Sequence, residues 1–263
     1  MRVGVYGNPF YNLNKAIEII KSIFVDIYIS KHIGGEWTDE QINEICDVVI
    51  SLGGDGTLLK CAKRFRKPII GIKIGKLGFL TFFDISQIED IKRALINGNY
   101  YLDRRDRLKI YINGIEVDSA LNDFSVNSVS GRGLDIIVKF GNSIITSFYG
   151  DGIIVSSPSG STAYNLSAGG PIVHPSVKAF IITPICPHNL SARPIVLPKE
   201  MIINISVKPK FGKWRISSDG ELLKECESEL TFSVELSDEK TSLIKLSETD
   251  DFFDILRKKL NWL

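Results

Sequence analysis

Residues 47–52 read DVVISL, and Gly53-Gly54-Asp55-Gly56-Thr57 follows with no spacer. A short run this apolar has no face to offer solvent, so it predicts a strand covered on both sides, the condition of a parallel sheet between helices. The rest of the first hundred residues obeys that constraint. Strand patterns at 2–6, 25–29 and 68–72 alternate with helical patterns at 13–23, 58–62 and 85–96. The first strand stops at Gly7-Asn8-Pro9, a turn signal. Thr38, with Gln41 three residues on, predicts a capping box at the start of a short helix. Strand alternating with helix implies a doubly covered parallel sheet.

The texture changes after Gly98. Segments rich in Ile, Val, Tyr and Thr recur at 108–112, 136–140, 143–148, 153–156, 180–183, 202–207 and 230–236, between Gly, Asn, Ser and Pro. Many short strands with turn signals predict an antiparallel sandwich or closed sheet. A last helix is expected at 252–260, capped by Thr249 or Asp250, with Arg257, Lys258 and Lys259 favourably placed at its C-terminus. The expected division is an α/β domain at 1–99 and an all-β domain at 100–248, with 249–263 packing back on the first.

Charge narrows the function. Lys and Arg number 32 against 31 Asp and Glu, so the chain lacks the basic surplus of a general nucleic-acid or anionic-membrane binder. A local phosphate site needs only a few cations and stays open. Cys46, Cys61, Cys186 and Cys226 form no CxxC pair, and with His32, His174 and His188 they make no zinc spacing. Reduced, structural thiols are expected, and no protein-held metal. No apolar run approaches the ~20 residues of a membrane-spanning helix, and no signal-peptide architecture follows MRVGVYG. A soluble, cytoplasmic protein is expected.

Three places carry chemistry. The GGDGT turn lies where ligands of open α/β sheets sit, outside the carboxyl end of a strand. Its glycines and the helix N-terminus after it suit a phosphate. Asp55 repels phosphate, so it is costly there unless it binds a metal or takes a proton, the two tasks of a phosphoryl-transfer site. The plain alternative is a strand–helix turn in which Asp55 caps the helix. The Gly-Lys-Ser/Thr of a Walker A loop is missing, and no GxGxxG follows the first strand. Lys60 is one turn into the helix, either reaching a phosphate or simply solvated. The second place is the Ser- and Gly-rich stretch after Gly150-Asp151-Gly152, running from Ser157 to Pro171. Hydroxyls and free amides there suit a base and ribose, and long ordered loops in compact domains are usually functional. The third is Asn122-Asp123, able to hold a ribose diol or to form an ordinary turn. Asp219-Gly220 reads as a hairpin turn.

Together these motifs resemble the NAD kinase family. The resemblance rests on Gly53 to Thr57, Leu77-Gly78-Phe79-Leu80, Asn122-Asp123, Gly150 to Pro171, Thr183-Pro184 and Arg193-Pro194. GGDGT alone is shared with lipid and phosphofructo-kinases; the Gly-Ser-Thr-Ala-Tyr…Ser-Ala-Gly-Gly-Pro segment is far more specific. The resemblance implies a Rossmann-like N-terminal domain followed by a β-sandwich. It implies phosphorylation of the adenosine 2′-hydroxyl of NAD to NADP, with ATP or polyphosphate as donor, Mg²⁺, and a homodimer or homotetramer. By match to the family's motifs, Asp55 is the base, beside Gly56, and Lys60 is a basic position near the phosphates. Phe79 lines the adenine site, and Asn122 and Asp123 hold the ribose. Thr162, Ala163, Tyr164, Asn165, Leu166 and Ser167 cradle the adenine end, and Asp151 meets the nicotinamide end. Asp123 stands where Glu is usual, Lys73 where Asn is common, and Glu221, beside the dinucleotide site, where Gln is frequent. Two other functions fit parts of the pattern: a GGDGT lipid kinase, and a dinucleotide sensor that binds without turnover.

Overall fold

A computed structural model describes residues 1–75, 78–247 and 252–262. The chain divides into two compact units, Met1–Arg104 with Thr241–Leu263, and Arg105–Lys240.

The first unit is built from β1 (Arg2–Gly7), α1 (Asn14–Ile23), β2 (Asp26–Ile29), α2 (Asp39–Ile45), β3 (Val48–Gly53), α3 (Asp55–Arg64), β4 (Ile69–Lys73) and α4 (Ile88–Asn97). Its strands pair in parallel in the order β2-β1-β3-β4. All six residues of β3 are buried, as its apolar run requires. The sheet packs on Ile20 and Phe24 and on Ile88, Ile91 and Leu95, apolar stripes of the flanking segments. Thr38 and Gln41 form the expected capping box at α2. The order reverses between β1 and β3, so their carboxyl ends flank a switch point, the usual ligand crevice of an open sheet.

The second unit carries the antiparallel strands. These are β5 (Tyr101–Ile112), which begins in the first unit, β6 (Ile115–Ala120), β7 (Asp123–Ser128), β8 (Leu134–Phe140), β9 (Ser143–Gly150) and β10 (Gly152–Ser156). A short helix α5 (Tyr164–Ser167) precedes β11 (Ala179–Ile185), β12 (Ile195–Pro198), β13 (Ile203–Pro209), β14 (Trp214–Ser218), β15 (Glu221–Cys226) and β16 (Leu230–Lys245). One sheet runs β12-β11-β10-β7-β14-β15. In the other, β13 joins β16 to the β8–β9 hairpin. Phe124, Val126, Ile153 and Ile216 of one sheet share a core with Ile136, Val138, Ile205 and Phe232 of the other, the packing of a β-sandwich.

Strand β16 outruns its apolar segment at 230–236 and carries the chain back to the first unit, where Leu243 pairs in parallel with Ile69 of β4. The last helix, α6 (Phe252–Leu260), has the expected bounds and buries Phe252, Ile255 and Leu256. The cap expected of Thr249 or Asp250 lies outside the described residues. No helix among the described residues is long and apolar enough to cross a membrane.

The thiols depart from expectation at one position. Cys46, Cys61 and Cys226 are free and buried, but Cys186 is exposed, with φ 43°, so it is not a core thiol. Burial pushes the Cys46 thiol up to about 11, which keeps it protonated and inert.

Candidate active site

In the first unit the site residues gather at the carboxyl end of β3. Gly54, the residue before α3, has no side chain to cap the helix; the Thr57 N–H of the first turn donates to the Gly54 carbonyl at 3.0 Å. Asp55 is the first residue of α3, and its carboxylate turns toward residues 79–81. Oδ2 accepts from the Phe79 N–H at 2.6 Å; Oδ1 accepts from Leu80 N–H at 3.0 Å and from the Thr81 N–H and hydroxyl, both at 3.2 Å. This approach depends on Gly78, where a Cβ would fall on the Asp55 carboxylate and the Thr81 hydroxyl. Phe79 is thereby fixed beside Asp55, and its ring lies 5.7 Å from the Lys259 ammonium of α6. Gly56 and Lys60 are exposed, Lys60 one turn along α3. Lys73 stands 4.0 Å from Asp84, which caps the 3₁₀ turn at 85–87, and so has an ion-pair partner.

In the second unit Asn122 and Asp123 lie at the start of β7, beside Ser157, whereas Asp151 lies at its far end, beside Ser128. Asn122 and Asp123 do not form a surface turn: both are buried, and Asp123 opens β7 opposite Ser156 of β10. Ser157 N–H donates to the Asn122 carbonyl at 2.8 Å and Ser157 Oγ to the Leu121 carbonyl at 2.6 Å, which ties this corner to the serine-rich segment. The Asn122 amide oxygen, Oδ1, is buried with no hydrogen-bond partner. Burial, reinforced by the negative charge of Asp219, pushes the Asp123 carboxyl up to about 7. A buried amide oxygen without a donor, beside a buried carboxyl without a cation, is costly in a finished core. Hydroxyl groups of a bound ligand, one of them donating to the amide oxygen, would relieve that cost.

The serine-rich segment folds as a 3₁₀ turn at Ser159–Thr162 followed by α5. Asn165 is its internal staple: Nδ2 donates to the Ser161 and Pro171 carbonyls at 3.1 and 3.0 Å, and Oδ1 accepts from Thr183 Oγ1 at 2.6 Å. With those bonds made, Asn165 shapes the cradle from inside, whereas Thr162, Ala163 and Leu166 are half-buried and Tyr164 and Ser167 are exposed. Tyr164 donates its hydroxyl to Asn127 Oδ1 at 3.0 Å. Its phenol is pushed up, first by burial and then by the charge of Asp123, with Asp151 a lesser contributor. Asp151 is exposed, its backbone spanning β7 and β11 through bonds to Ser128 and Ile185. Glu221 is exposed at the start of β15, opposite Ser218.

The candidates therefore form two groups, Asp55, Gly56, Lys60 and Phe79 on the first unit and the others on the second. Sequence reasoning passed over Thr81 and Asn127 and took Asp219 only for a turn residue. The signal for Thr81 was its position directly after Leu-Gly-Phe-Leu.

Comparison with known proteins follows the same division. Residues 31–100 match the ATP-NAD kinase N-terminal domain and residues 123–246 the ATP-NAD kinase C-terminal domain. The NAD kinase of Chlorobium phaeobacteroides is 39% identical over 228 residues, covering 85% of this chain and 80% of its own. Yeast NADH kinase, solved with NADH, superposes with a TM-score of 0.91 at 24% identity over all of this chain and 88% of that one. An Archaeoglobus fulgidus NAD kinase, solved with ATP, gives 0.81 at 26% identity over the whole of both chains. A GGDGT turn whose aspartate accepts from Phe79, Leu80 and Thr81, and a buried Asn-Asp pair tied to the Ser-Gly segment, thus occur in a chain whose two halves match the two halves of one enzyme: the chain belongs to the NAD kinase family.

Proposed function

We propose that the chain phosphorylates the adenosine 2′-hydroxyl of NAD to give NADP, with ATP as donor. The observation that carries this reading is the buried Asn122-Asp123 pair, whose amide oxygen lacks a donor and whose carboxyl lacks a cation. Asn122 and Asp123 hold the adenosine ribose, the segment Thr162–Ser167 cradles the adenine end, and Asp151 meets the nicotinamide end.

Asp55 takes the proton. A carboxylate offers about four lone pairs. Among the described residues three donors occupy Oδ1, whereas Oδ2 accepts from Phe79 alone, which leaves it a lone pair for the 2′-hydroxyl. The 2′-oxygen then forms its bond to the terminal phosphorus as the bond to the bridging oxygen breaks, the proton passing to Asp55 Oδ2 and ADP leaving. Such general-base help is worth about 10²–10⁴-fold, and positioning supplies much of the rest. The N-terminal end of α3, with Gly56 and Lys60, faces the donor phosphates. Mg²⁺ is held mainly by those phosphates. When bound it neutralises charge on the transferring group. In keeping with the family habit, the working form is a cytoplasmic homodimer or homotetramer.

The test incubates the protein with NAD and Mg²⁺ plus either ATP or polyphosphate, and reads NADP with an NADP-specific dehydrogenase. NADP in the ATP reaction is the expected result. NADP from polyphosphate alone reassigns the donor, and NAD binding with NADP from neither makes the chain a sensor. Phosphorylation of a diacylglycerol with NAD inert reassigns the acceptor to a lipid.

A further inference from the structure

We propose that Asp219 is a positioning residue for the NAD site, its carboxylate holding Asn122 and Asp123 in register for the ribose; this rests on the ribose reading above. Asp219 and Gly220 connect β14 and β15 with φ 49° and 80°, a two-residue hairpin with both residues left-handed. Such a turn asks only for the backbone conformation. The Asp219 side chain does something else: it reaches the corner at 121–123. Oδ2 accepts from the Leu121 N–H at 2.9 Å, and Oδ1 accepts from the Asn122 and Asp123 N–H groups at 2.7 and 3.2 Å. The Asp219 N–H donates in return to the Asp123 carbonyl at 2.9 Å.

One carboxylate thus collects three successive backbone donors, and Ser157 binds the carbonyls on the other side of the same corner. The two side chains read as ribose ligands project from a backbone fixed at every polar group of residues 121 and 122. An ionised carboxylate is the acceptor suited to this task, because bonds to a charged group are about twice as strong as neutral ones.

A second consequence is electrostatic. Ser156 of β10, which does not titrate in this range, stands opposite Asp123. The ionisable groups set against Asp123 are Asp219 from the β14–β15 turn and Tyr164 from α5. The Asp219 charge opposes ionisation of Asp123, so its removal lets Asp123 ionise at lower pH and accept from the ribose sooner.

The experiment uses Asp219→Asn in the full chain, because asparagine tolerates the left-handed conformation and preserves the turn. NAD affinity is measured by calorimetry across pH 5.5 to 8.5, alongside KM for NAD and for ATP. The expected result is a weakening of NAD binding by about tenfold, the scale of a lost charge-assisted bond. KM for ATP stays within about twofold, and the pH midpoint of NAD affinity moves down. NAD affinity within about twofold of the parent, with an unmoved midpoint, overturns the proposal. Gly220→Ala supplies the control: it strains the turn but keeps the carboxylate, so an equal loss of NAD affinity with an equally lowered midpoint would also overturn it. Asp123→Asn separates the two layers. If it leaves NAD affinity intact, the ribose reading fails; if it weakens binding while Asp219→Asn does not, only the role of Asp219 fails.

Discussion

At the scale of single residues, the two aspartates assigned to the reaction differ in what surrounds them. Asp55 is met by donors, Asp123 by another carboxylate and a low-dielectric wall. The Thr81 hydroxyl is one of the Asp55 donors, at 3.2 Å, and Thr81 is itself fully buried. Thr81→Val keeps the shape, removes that donor and lets the carboxylate rotate. We expect kcat to fall by about tenfold, the order of one hydrogen bond to a charged group, with NAD affinity unchanged in calorimetry. For Asp123 the effect is on stability. Its folded-state value of about 7 lies above the ordinary 3.8, so the folded chain holds this proton more tightly than the unfolded chain. The group's contribution is full below about pH 4 and drains away as pH rises to about 7. Asp123→Asn removes that loss: in urea unfolding the variant gains up to about 4 kcal/mol over the parent at pH 8, and the gap closes toward pH 4.

At the scale of elements, legibility followed hydrophobic pattern. The buried run of β3, the capping box of α2 and the stripe of α6 were all readable because each is written in a few neighbouring residues. Strand β5 was read only from residue 108, because Arg105, Asp106 and Arg107 look solvated, yet all three are buried. Arg107 donates to the Ser119 hydroxyl and carbonyl, and Asp106 is paired with Lys178 and Lys240, partners that local sequence does not reveal. Strand β7 was obscured in the same way, since Asn-Asp is a turn signal until tertiary contacts bury it. Strands β6 and β15 place polar residues on an exposed face, and β14 buries two serines beside Ile216, so none shows the alternation that separates a strand from a loop. The site motifs at 53–57 and 150–171 were legible as glycine- and hydroxyl-rich interruptions; what Asp219 reaches was not, because it lies almost a hundred residues from its partners. The segment at 157–171 yields its own prediction. Asn165→Ala strands the Thr183 hydroxyl and the Ser161 and Pro171 carbonyls, so thermal unfolding should show a loss of about 2–4 kcal/mol. NAD affinity should fall with it, as the cradle loses its staple.

At the scale of the whole molecule, the chain leaves the first unit at Arg104 and returns at Thr241, so that unit is made from both ends of the sequence. Its C-terminal part contributes the end of β16 beside β4 and the buried face of α6. Deleting residues 247–263 removes, among the described residues, three buried apolar side chains, Phe252, Ile255 and Leu256, each worth about 1.5–3 kcal/mol. Scanning calorimetry should place the melting temperature roughly 10 °C or more below the parent. The central claim, that Asp55 is the base of an NAD-phosphorylating site, is tested most directly by comparing NADP formation from NAD, ATP and Mg²⁺ in the parent and in Asp55→Asn, with NAD affinity measured on both. The account predicts turnover lower by about 10²–10⁴-fold in the variant, with NAD still bound within a few-fold of the parent. An Asp55→Asn variant that makes NADP at the parent's rate would contradict it.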